Sequence, residues 1–234
     1  MKIVILTSGL PKIFRTPLMM MAGQLSLKKT TDVSLLGLFW RDLSTIELGH
    51  LKILSDDCRI FIEPPRDFSF IRFERTRAEV IVSNTLSMHL GRKLLLDRLV
   101  KINAQLDISE TIFIYLRADV CLTKLLNLND FIDDILIHDK LYIPSGGCWV
   151  NGWNDQFAIG NYNAIGHYLD MYDSIVHYYE KDRIMFHPET LLKHHLNCKD
   201  IQVKPLPCSS LIFRSEYEVI EQPGVIGYDA FSTT

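Results

Sequence analysis

The sequence predicts an α/β fold in which helices flank a central, mostly parallel, twisted sheet. Three observations lead to this class. Short apolar runs alternate along the chain with longer stretches of helical period. The first run, residues 2–8, is continuously apolar, as in a strand that is buried on both faces. The 234 residues are 47% hydrophobic and 23% charged, which is ordinary for a single globular domain.

Each strand is predicted from a short apolar run with a turn signal behind it. Residues 33–40 (VSLLGLFW) and 111–116 (TIFIYL) are continuous runs, and residues 59–63 end at the pair Pro64-Pro65. Shorter runs predict strands over residues 141–144, 201–204 and 211–213. Residues 68–77, in which aromatic and basic residues alternate, predict either a loop or an irregular strand.

The helices are predicted from apolar spacing and from their start signals. Residues 84–105 carry leucines at helical spacing, which predicts a long helix with a broad buried stripe. Asn127 or Asn129 is placed to cap a short helix over residues 128–137, and Pro188 starts one that runs to residue 195. Further helices are expected over residues 12–27, 44–54 and 162–180, and residues from 224 onward are expected to form a loose tail.

Charge and cysteine usage narrow the class of protein. With 25 Lys and Arg against 28 Asp and Glu, the net charge is −3, which argues against a general nucleic-acid binder but leaves small anionic substrates open. No apolar stretch approaches the length of a membrane span, and no signal peptide is recognisable. The five cysteines are scattered and form no C-x-x-C pair, so neither a disulfide framework nor a zinc site is expected. We therefore expect a soluble, cytoplasmic, single-domain protein.

Polar and glycine-rich segments follow four of the predicted strands. In open α/β sheets, ligands bind outside the carboxyl ends of the strands, so these segments are expected to converge on a site. The segments are Thr7-Ser8-Gly9, Arg41-Asp42, Arg117-Ala118-Asp119 and Ser145-Gly146-Gly147.

Arg117 and Asp119 give the sharpest local signal. They lie on the same side of an extended segment, because side chains alternate along a strand. A carboxylate there can bind a divalent ion that bridges a diphosphate, while the guanidinium meets a phosphate or orients the carboxylate. A salt bridge within the protein explains the same residues equally well, so both interpretations stay open.

Two other segments carry candidate acidic residues. Asp155 follows a glycine-rich loop and precedes the apolar residues 157–159, which favours a fixed carboxylate that serves as a general base or holds a sugar hydroxyl. An ordinary turn is the alternative. His187 and Glu189 flank Pro188, where a normal helix start or the rim of an acceptor pocket both account for them.

Further candidates are basic, polar or aromatic. Arg75 and Arg77, with Arg72, lie among phenylalanines and predict either a nucleotide-diphosphate clamp or a solvated face. Asn84 and Met88, with Ser87 and Arg92, are placed to turn a polar face of the long helix toward the same cleft. Trp153 lies in the glycine-rich loop, where an exposed stacking platform is expected.

Several motifs are absent. The sequence contains no G-x-x-x-x-G-K-[ST], no G-x-G-x-x-G after the first strand and no G-x-S-x-G. These absences argue against P-loop phosphoryl transfer, NAD binding and serine-hydrolase chemistry.

Taken in order, these segments resemble nucleotide-sugar glycosyltransferases of the GT-A fold, especially poorly annotated sets from bacterial surface-polysaccharide loci and large DNA viruses. The resemblance rests on the first strand ending T-S-G, on L-R-A-D-V, on P-S-G-G, on N-D-Q-F-A-I-G and on F-H-P-E-x-x-L. It covers residues 2 to about 214. It implies a Rossmann-like nucleotide-sugar-binding half over residues 1–120 and an acceptor and catalytic half over residues 121–214.

The resemblance also implies roles for individual residues. The residues implied to bind the nucleotide-sugar donor are Thr7, Ser8, Gly9, Arg75, Arg77, Asn84, Met88, Arg117 and Asp119. Asp119 stands where a metal-binding acid is expected, which implies Mn²⁺ or Mg²⁺, but Arg117 replaces the first acid of the usual Asp-x-Asp. Asp155 is implied as the catalytic base of an inverting transfer. Gly146, Gly147, Trp153, His187 and Glu189 are implied to bind the acceptor.

The implied activity is transfer of a sugar from a UDP- or GDP-sugar to a hydroxyl of an oligosaccharide or glycan acceptor. A retaining enzyme would share this layout without needing a base at Asp155. A non-catalytic nucleotide- or sugar-binding domain of the same fold is the main alternative, favoured by Arg117 in place of an acid. A nucleotidyltransferase is a weaker one, because the segment after the first strand is only thinly glycine-rich and basic.

Overall fold

The computed structural model describes residues 2–9, 13, 15–25, 32–76, 81–102, 106–146, 148–213 and 219–221, with residues 149 and 219–221 described by their backbone only. The strands are β1 (Lys2–Gly9), β2 (Val33–Phe39), β3 (Asp57–Ile62), β4 (Thr111–Leu116), β5 (Val120–Leu122), β6 (Lys140–Pro144), β7 (Phe157–Gly160), β8 (Gln202–Leu206), β9 (Ser210–Phe213) and β10 (Val219–Glu221). The α-helices are α1 (Arg15–Gln24), α2 (Thr45–Leu51), α3 (Val82–Ile102), α4 (Ile132–Ile137), α5 (Tyr162–Leu169), α6 (Ile175–Glu180) and α7 (Pro188–Cys198).

Seven strands form the central sheet in the order β3-β2-β1-β4-β7-β6-β8. The four strands β3, β2, β1 and β4 are parallel to one another. Strand β7 is antiparallel to both of its neighbours, and β6 pairs with β8 in parallel. A second, antiparallel sheet contains β10, β9 and β5. The predicted mostly parallel α/β fold is therefore confirmed.

Helices cover both faces of the central sheet. Val4 and Leu6 of β1 pack on one face against a cluster that includes leucines of α3 and α7. Ile3 and Ile5 point to the other face, where they join residues of α1, α2 and α4. Burial of each such side chain contributes about 1.5–3 kcal/mol. The continuous apolar run of β1 follows from this two-sided burial.

Most of the predicted elements are present, with corrections to two helical segments and to one cap. The helix expected over residues 162–180 consists of α5, which ends at Leu169, a 3₁₀ turn at Tyr172–Ser174, and α6. The segment 128–137 is divided similarly at Phe131. Asn127 caps neither part and instead donates to Asp130 Oδ1 at 2.8 Å.

Strands β5, β7 and β10 were not predicted, since they are only three or four residues long. Within the described residues 68–76, Thr76 forms an isolated bridge with Phe186. The expected tail from residue 224 lies outside the described residues. Among the helices that the structure describes, none is both long and apolar enough to cross a membrane.

Candidate functional site

Three of the predicted segments meet at one edge of the central sheet. Strands β1 and β4 are parallel neighbours, with Leu6 opposite Tyr115, so the segments that follow them emerge side by side. The backbone N–H of Arg117 donates to Gln156 O at 3.1 Å, which brings the segment around Asp155 to the same edge. The segments at the carboxyl ends of β1 and β4 thus lie side by side, as the sequence predicts.

Arg117 and Asp119 form a bidentate ion pair. Arg117 Nε donates to Asp119 Oδ1 at 3.0 Å, and Nη2 donates to Oδ2 at 2.8 Å. Burial acts to lower the pKa of Arg117, but the charges of Asp119 and Asp155 outweigh it, and the pKa is raised. The Arg117 side chain is 26% exposed, against 6% for Asp119. Arg117 is thus a fixed positive charge on a partly exposed side chain.

The expected metal ligand, Asp119, has both carboxylate oxygens engaged by this guanidinium. Across the described part of the chain, no group of three or more His, Cys, Asp or Glu side chains is placed to hold a metal ion. Divalent cations such as Mg²⁺ and Mn²⁺ prefer oxygen ligands, with carboxylates prominent among them. The residues at this position therefore do not fit a divalent ion.

Asp155 is held by a fully buried arginine of α3. Arg92 has no exposed side-chain surface, donates to the backbone oxygen of Asp155, and lies with Nη2 3.6 Å from Asp155 Oδ2. Its guanidinium carbon lies 4.8 Å from the ring centroid of Tyr115 and 5.2 Å from that of Tyr168. A buried charge is expensive unless it is paired, and the Asp155 carboxylate provides the counter-charge of Arg92.

The residues on either side of Asp155 are fixed as well. Asn154 is fully buried and donates from Nδ2 to Gly146 O at 2.8 Å. The backbone N–H of Gln156 donates to Asn154 Oδ1 at 2.9 Å, and Ser210 Oγ donates to Gln156 Oε1 at 2.7 Å. Strand β7 begins directly after Gln156. Hydrogen bonds on both sides of Asp155 therefore fix the backbone that carries its carboxylate.

His187 and Glu189 form a second buried pair beside this segment. Their Nδ1 and Oε2 atoms are 3.0 Å apart, and both residues are at most 6% exposed. A Cβ on Gly152 would collide with the backbone of Glu189, and the backbone N–H of Trp153 donates to Glu189 O at 3.0 Å. Burial and then the charge of Asp155 raise the pKa of Glu189, while His187 opposes them. Asp155 and Glu189 therefore share one electrostatic environment.

The end of β1 contributes two buried hydroxyl groups. Thr7 Oγ1 and Ser8 Oγ have no hydrogen-bond partner among the described residues. Gly9 has φ of 119°, a backbone conformation that disfavours any residue with a Cβ. A buried hydroxyl without a partner costs free energy. Because side chains alternate along β1, Thr7 lies on the face of Ile3 and Ile5, and Ser8 on the face of Val4 and Leu6.

Arg75 and Gly146, two other candidates, make close contacts within the fold. Arg75 lies over the Tyr179 ring at 4.2 Å and donates to the backbone oxygen of Tyr179, which fastens its segment to α6. A Cβ on Gly146 would collide with Ser209, so this glycine is needed for close packing.

Trp153 does not form the exposed platform that was expected. It is 6% exposed, and Lys193 Nζ lies 4.6 Å from its ring centroid.

Asn84 is exposed at the start of α3, whereas Met88 is half-buried with its sulfur 3.6 Å from Arg92. The candidates Arg77 and Gly147 lie outside the described residues.

Arg92 is the site residue that the sequence indicated least clearly. It had been placed on a polar helix face with Asn84 and Met88, yet it is among the most buried residues of α3. Its spacing from Leu99, two helical turns later on the buried face, is the signal that points to this burial.

No protein-family model matches the chain, and no curated protein matches it. Solved structures do match. One is the galactosyltransferase LgtC in complex with donor and acceptor sugar analogues, with a TM-score of 0.51 and 14% identity over 86% of this chain and 72% of that one. Another is mouse xyloside xylosyltransferase 1, with a TM-score of 0.50 and 10% identity over 88% and 84%. The chain has the GT-A-like fold of these glycosyltransferases.

Proposed function

We propose that this protein is a glycosyltransferase that moves a sugar from a nucleoside-diphosphate sugar, a UDP- or GDP-sugar, to a hydroxyl of an oligosaccharide or glycan acceptor. Surface-polysaccharide or glycoprotein-glycan synthesis is the setting we infer. The observation that carries the proposal is the Asp155 carboxylate, held by Arg92 beside the Arg117 guanidinium at the carboxyl edge of a GT-A-like sheet.

The donor is proposed to bind within residues 1–120. The remaining N–H groups of Arg117 are suited to the oxygens of a diphosphate. The end of β1, which carries the unpartnered hydroxyls of Thr7 and Ser8, is next to the end of β4. Gly9 lets the backbone turn away without a side chain in the path. This assigns donor recognition to the ends of β1 and β4.

Transfer is proposed as a single in-line displacement with inversion. The carboxylate of Asp155 takes the proton of the acceptor hydroxyl, and the hydroxyl oxygen bonds to the anomeric carbon as the bond to the diphosphate breaks. The nucleoside diphosphate leaves with the electron pair of that bond, and Arg117 stabilises its charge. Arg92 holds this carboxylate in place, with Nη2 3.6 Å from Asp155 Oδ2.

The acceptor is proposed to bind within residues 121–214. His187 and Glu189 lie next to the segment that carries Asp155, and they offer a ring nitrogen and a carboxyl oxygen to sugar hydroxyls. Arg117 and Asp155 then separate the donor side of the site from the acceptor side.

An Asp155→Asn variant tests the proposal. Thermal stabilisation by UDP, GDP, CDP, dTDP and ADP first identifies the donor base, and turnover of the matching nucleotide sugars is then measured. We expect Asp155→Asn to bind the diphosphate as the wild type does and to lose about 10²–10⁴-fold in kcat. The matched control is Asp97→Asn, an exposed α3 carboxylate 3.4 Å from Lys93 Nζ, which should keep full turnover.

Two other outcomes are informative. Equal kcat in Asp155→Asn and the wild type would remove Asp155 as the base. A wild-type protein that binds a diphosphate but consumes no nucleotide sugar would instead be a non-catalytic nucleotide-binding domain, the function that Arg117 in place of an acid also favours.

A further inference from the structure

We propose that Arg117 takes the place of a divalent metal, so that this protein binds the diphosphate of its donor without a metal ion. The inference rests on the proposed function and deepens it, because it names what neutralises the leaving group. It starts from the bidentate contact of Arg117 with Asp119, the residue at which a metal would be expected.

The ligand set argues against a cation at Asp119. Both of its oxygens already accept hydrogen bonds from one guanidinium, at 3.0 and 2.8 Å. An ion bound there would share the carboxylate with the positive charge of Arg117. The described residues around it provide no cluster of further acidic or histidine ligands.

The charges around the site lead to the same conclusion. Arg117 is paired with Asp119, and Arg92 with Asp155, so each carboxylate of the centre has its own guanidinium. The third carboxyl, Glu189, has a raised pKa because it is buried near Asp155. A dication is attracted by unpaired negative charge, and these carboxylates offer little of it.

Arg117 retains what diphosphate binding requires. Nε and one N–H of Nη2 are used by Asp119, which fixes the plane of the guanidinium and leaves its other N–H groups for a ligand. The side chain is 26% exposed, in contrast to the buried Arg92. A planar guanidinium matches phosphate oxygens in a fork geometry. The unpartnered hydroxyls of Thr7 and Ser8 lie at the end of the neighbouring strand.

The test is calorimetric binding of the five nucleoside diphosphates, each with EDTA and with Mn²⁺. We expect the preferred diphosphate to bind with the same affinity in both conditions. Arg117→Gln should weaken binding about 10–100-fold, as expected for loss of hydrogen bonds to a charged group. Asp119→Asn should weaken it less, because it removes only the support of Arg117. Arg59→Gln, an exposed arginine on β3, is the matched control and should bind normally.

Arg117→Lys guards against a folding defect in Arg117→Gln. Lysine keeps the positive charge but lacks the planar, two-pronged donor geometry of the guanidinium. The affinity of Arg117→Lys for the diphosphate in EDTA should therefore fall between those of the wild type and Arg117→Gln.

Binding that requires Mn²⁺, and that Asp119→Asn abolishes while Arg117→Gln does not, would overturn the inference and leave the proposed function standing. Failure of the wild type to bind any of the five diphosphates in either condition would contradict the proposed function, and this inference with it.

Discussion

Two buried polar regions of this protein differ in how completely their hydrogen bonds are satisfied. In the histidine network of α5, α6 and α7, His195 is fully buried and both of its ring nitrogens are used. Nε2 lies 3.0 Å from His167 O and must donate, because a carbonyl only accepts. Nδ1 therefore accepts from Tyr178 Oη at 2.8 Å.

The charged centre at the carboxyl edge of the sheet is equally buried but incompletely paired. Arg92 Nε and the hydroxyls of Thr7 and Ser8 have no partner among the described residues. Buried polar groups are normally satisfied, so unsatisfied ones need an explanation. The two regions are therefore alike in burial and differ in how many of their buried polar groups are hydrogen-bonded.

The largest expected effect comes from removing the charge of Arg92. Arg92→Met should lower the free energy of unfolding by about 3–5 kcal/mol, because it leaves Asp155 as a buried charge without its partner. Urea unfolding at pH 7 measures this. Arg98→Met is the matched control on the same helix. Its partly exposed pair with Glu63 should contribute under about 1 kcal/mol. Similar losses in the two variants would show that the charged centre does not depend on Arg92.

The histidine network should make the protein sensitive to acid. Burial lowers the pKa of His195 from 6.5 to about 4, so the unfolded chain takes up a proton first as the pH falls. Stability is therefore complete above pH 6.5 and is lost toward pH 4, by about 3 kcal/mol from this group. Urea unfolding across this range tests it, with His195→Gln as the comparison. A variant as acid-sensitive as the wild type would exclude His195 as the cause.

A pair of tyrosines tests hydrogen-bond satisfaction directly. Tyr178 Oη is bonded to His195, whereas Tyr168 Oη has no partner in the described part of the chain. Tyr178→Phe should cost about 1 kcal/mol, and Tyr168→Phe should cost almost nothing, because only the first leaves a buried group unpaired. Thermal or urea unfolding of both variants measures the difference. A reversed order would contradict the comparison of the two regions.

The smallest expected effect concerns Glu189, and its pH dependence has the opposite sign to that of His195. Its pKa is raised in the folded protein, mainly by burial, so the unfolded chain ionises first as the pH rises above about 4.5. Stability from this group is present at acid pH and is lost as the pH rises through the folded pKa. Glu189→Gln should therefore be somewhat more stable than the wild type at pH 7 and equal to it near pH 4. A variant that is less stable at pH 7 would mean that Glu189 stabilises the fold.

Much of the fold was predictable from local sequence. The run TIFIYL predicted β4 because a strand buried on both faces has no polar positions. Helix α3 was predicted from the helical spacing of its leucines between Leu86 and Leu99. Strand β7 was missed because its four residues carry too little pattern, and its pairing with β4 and β6 is what makes it a strand.

The sequence predicted where in the fold the candidate site residues lie, but not which charged residues pair with one another. The carboxyl-end rule located Thr7, Ser8, Arg117 and Asp119 because it depends only on strand order and direction. The partnership of Arg92 with Asp155 joins residues that are 63 positions apart, so no local pattern contains it. For the same reason, the burial of Trp153 under Lys193 of α7 was not foreseen.

The sequence by itself determined the α/β class, the two-sided burial of the first and fourth strands and the segments from which a site would be built. These properties follow from side-chain polarity and spacing, which act locally along the chain. Only the tertiary structure decided that Asp119 pairs with Arg117 and that Arg92 is buried against Asp155. Which charges neutralise one another depends on distance and burial, and folding sets both by bringing distant residues together.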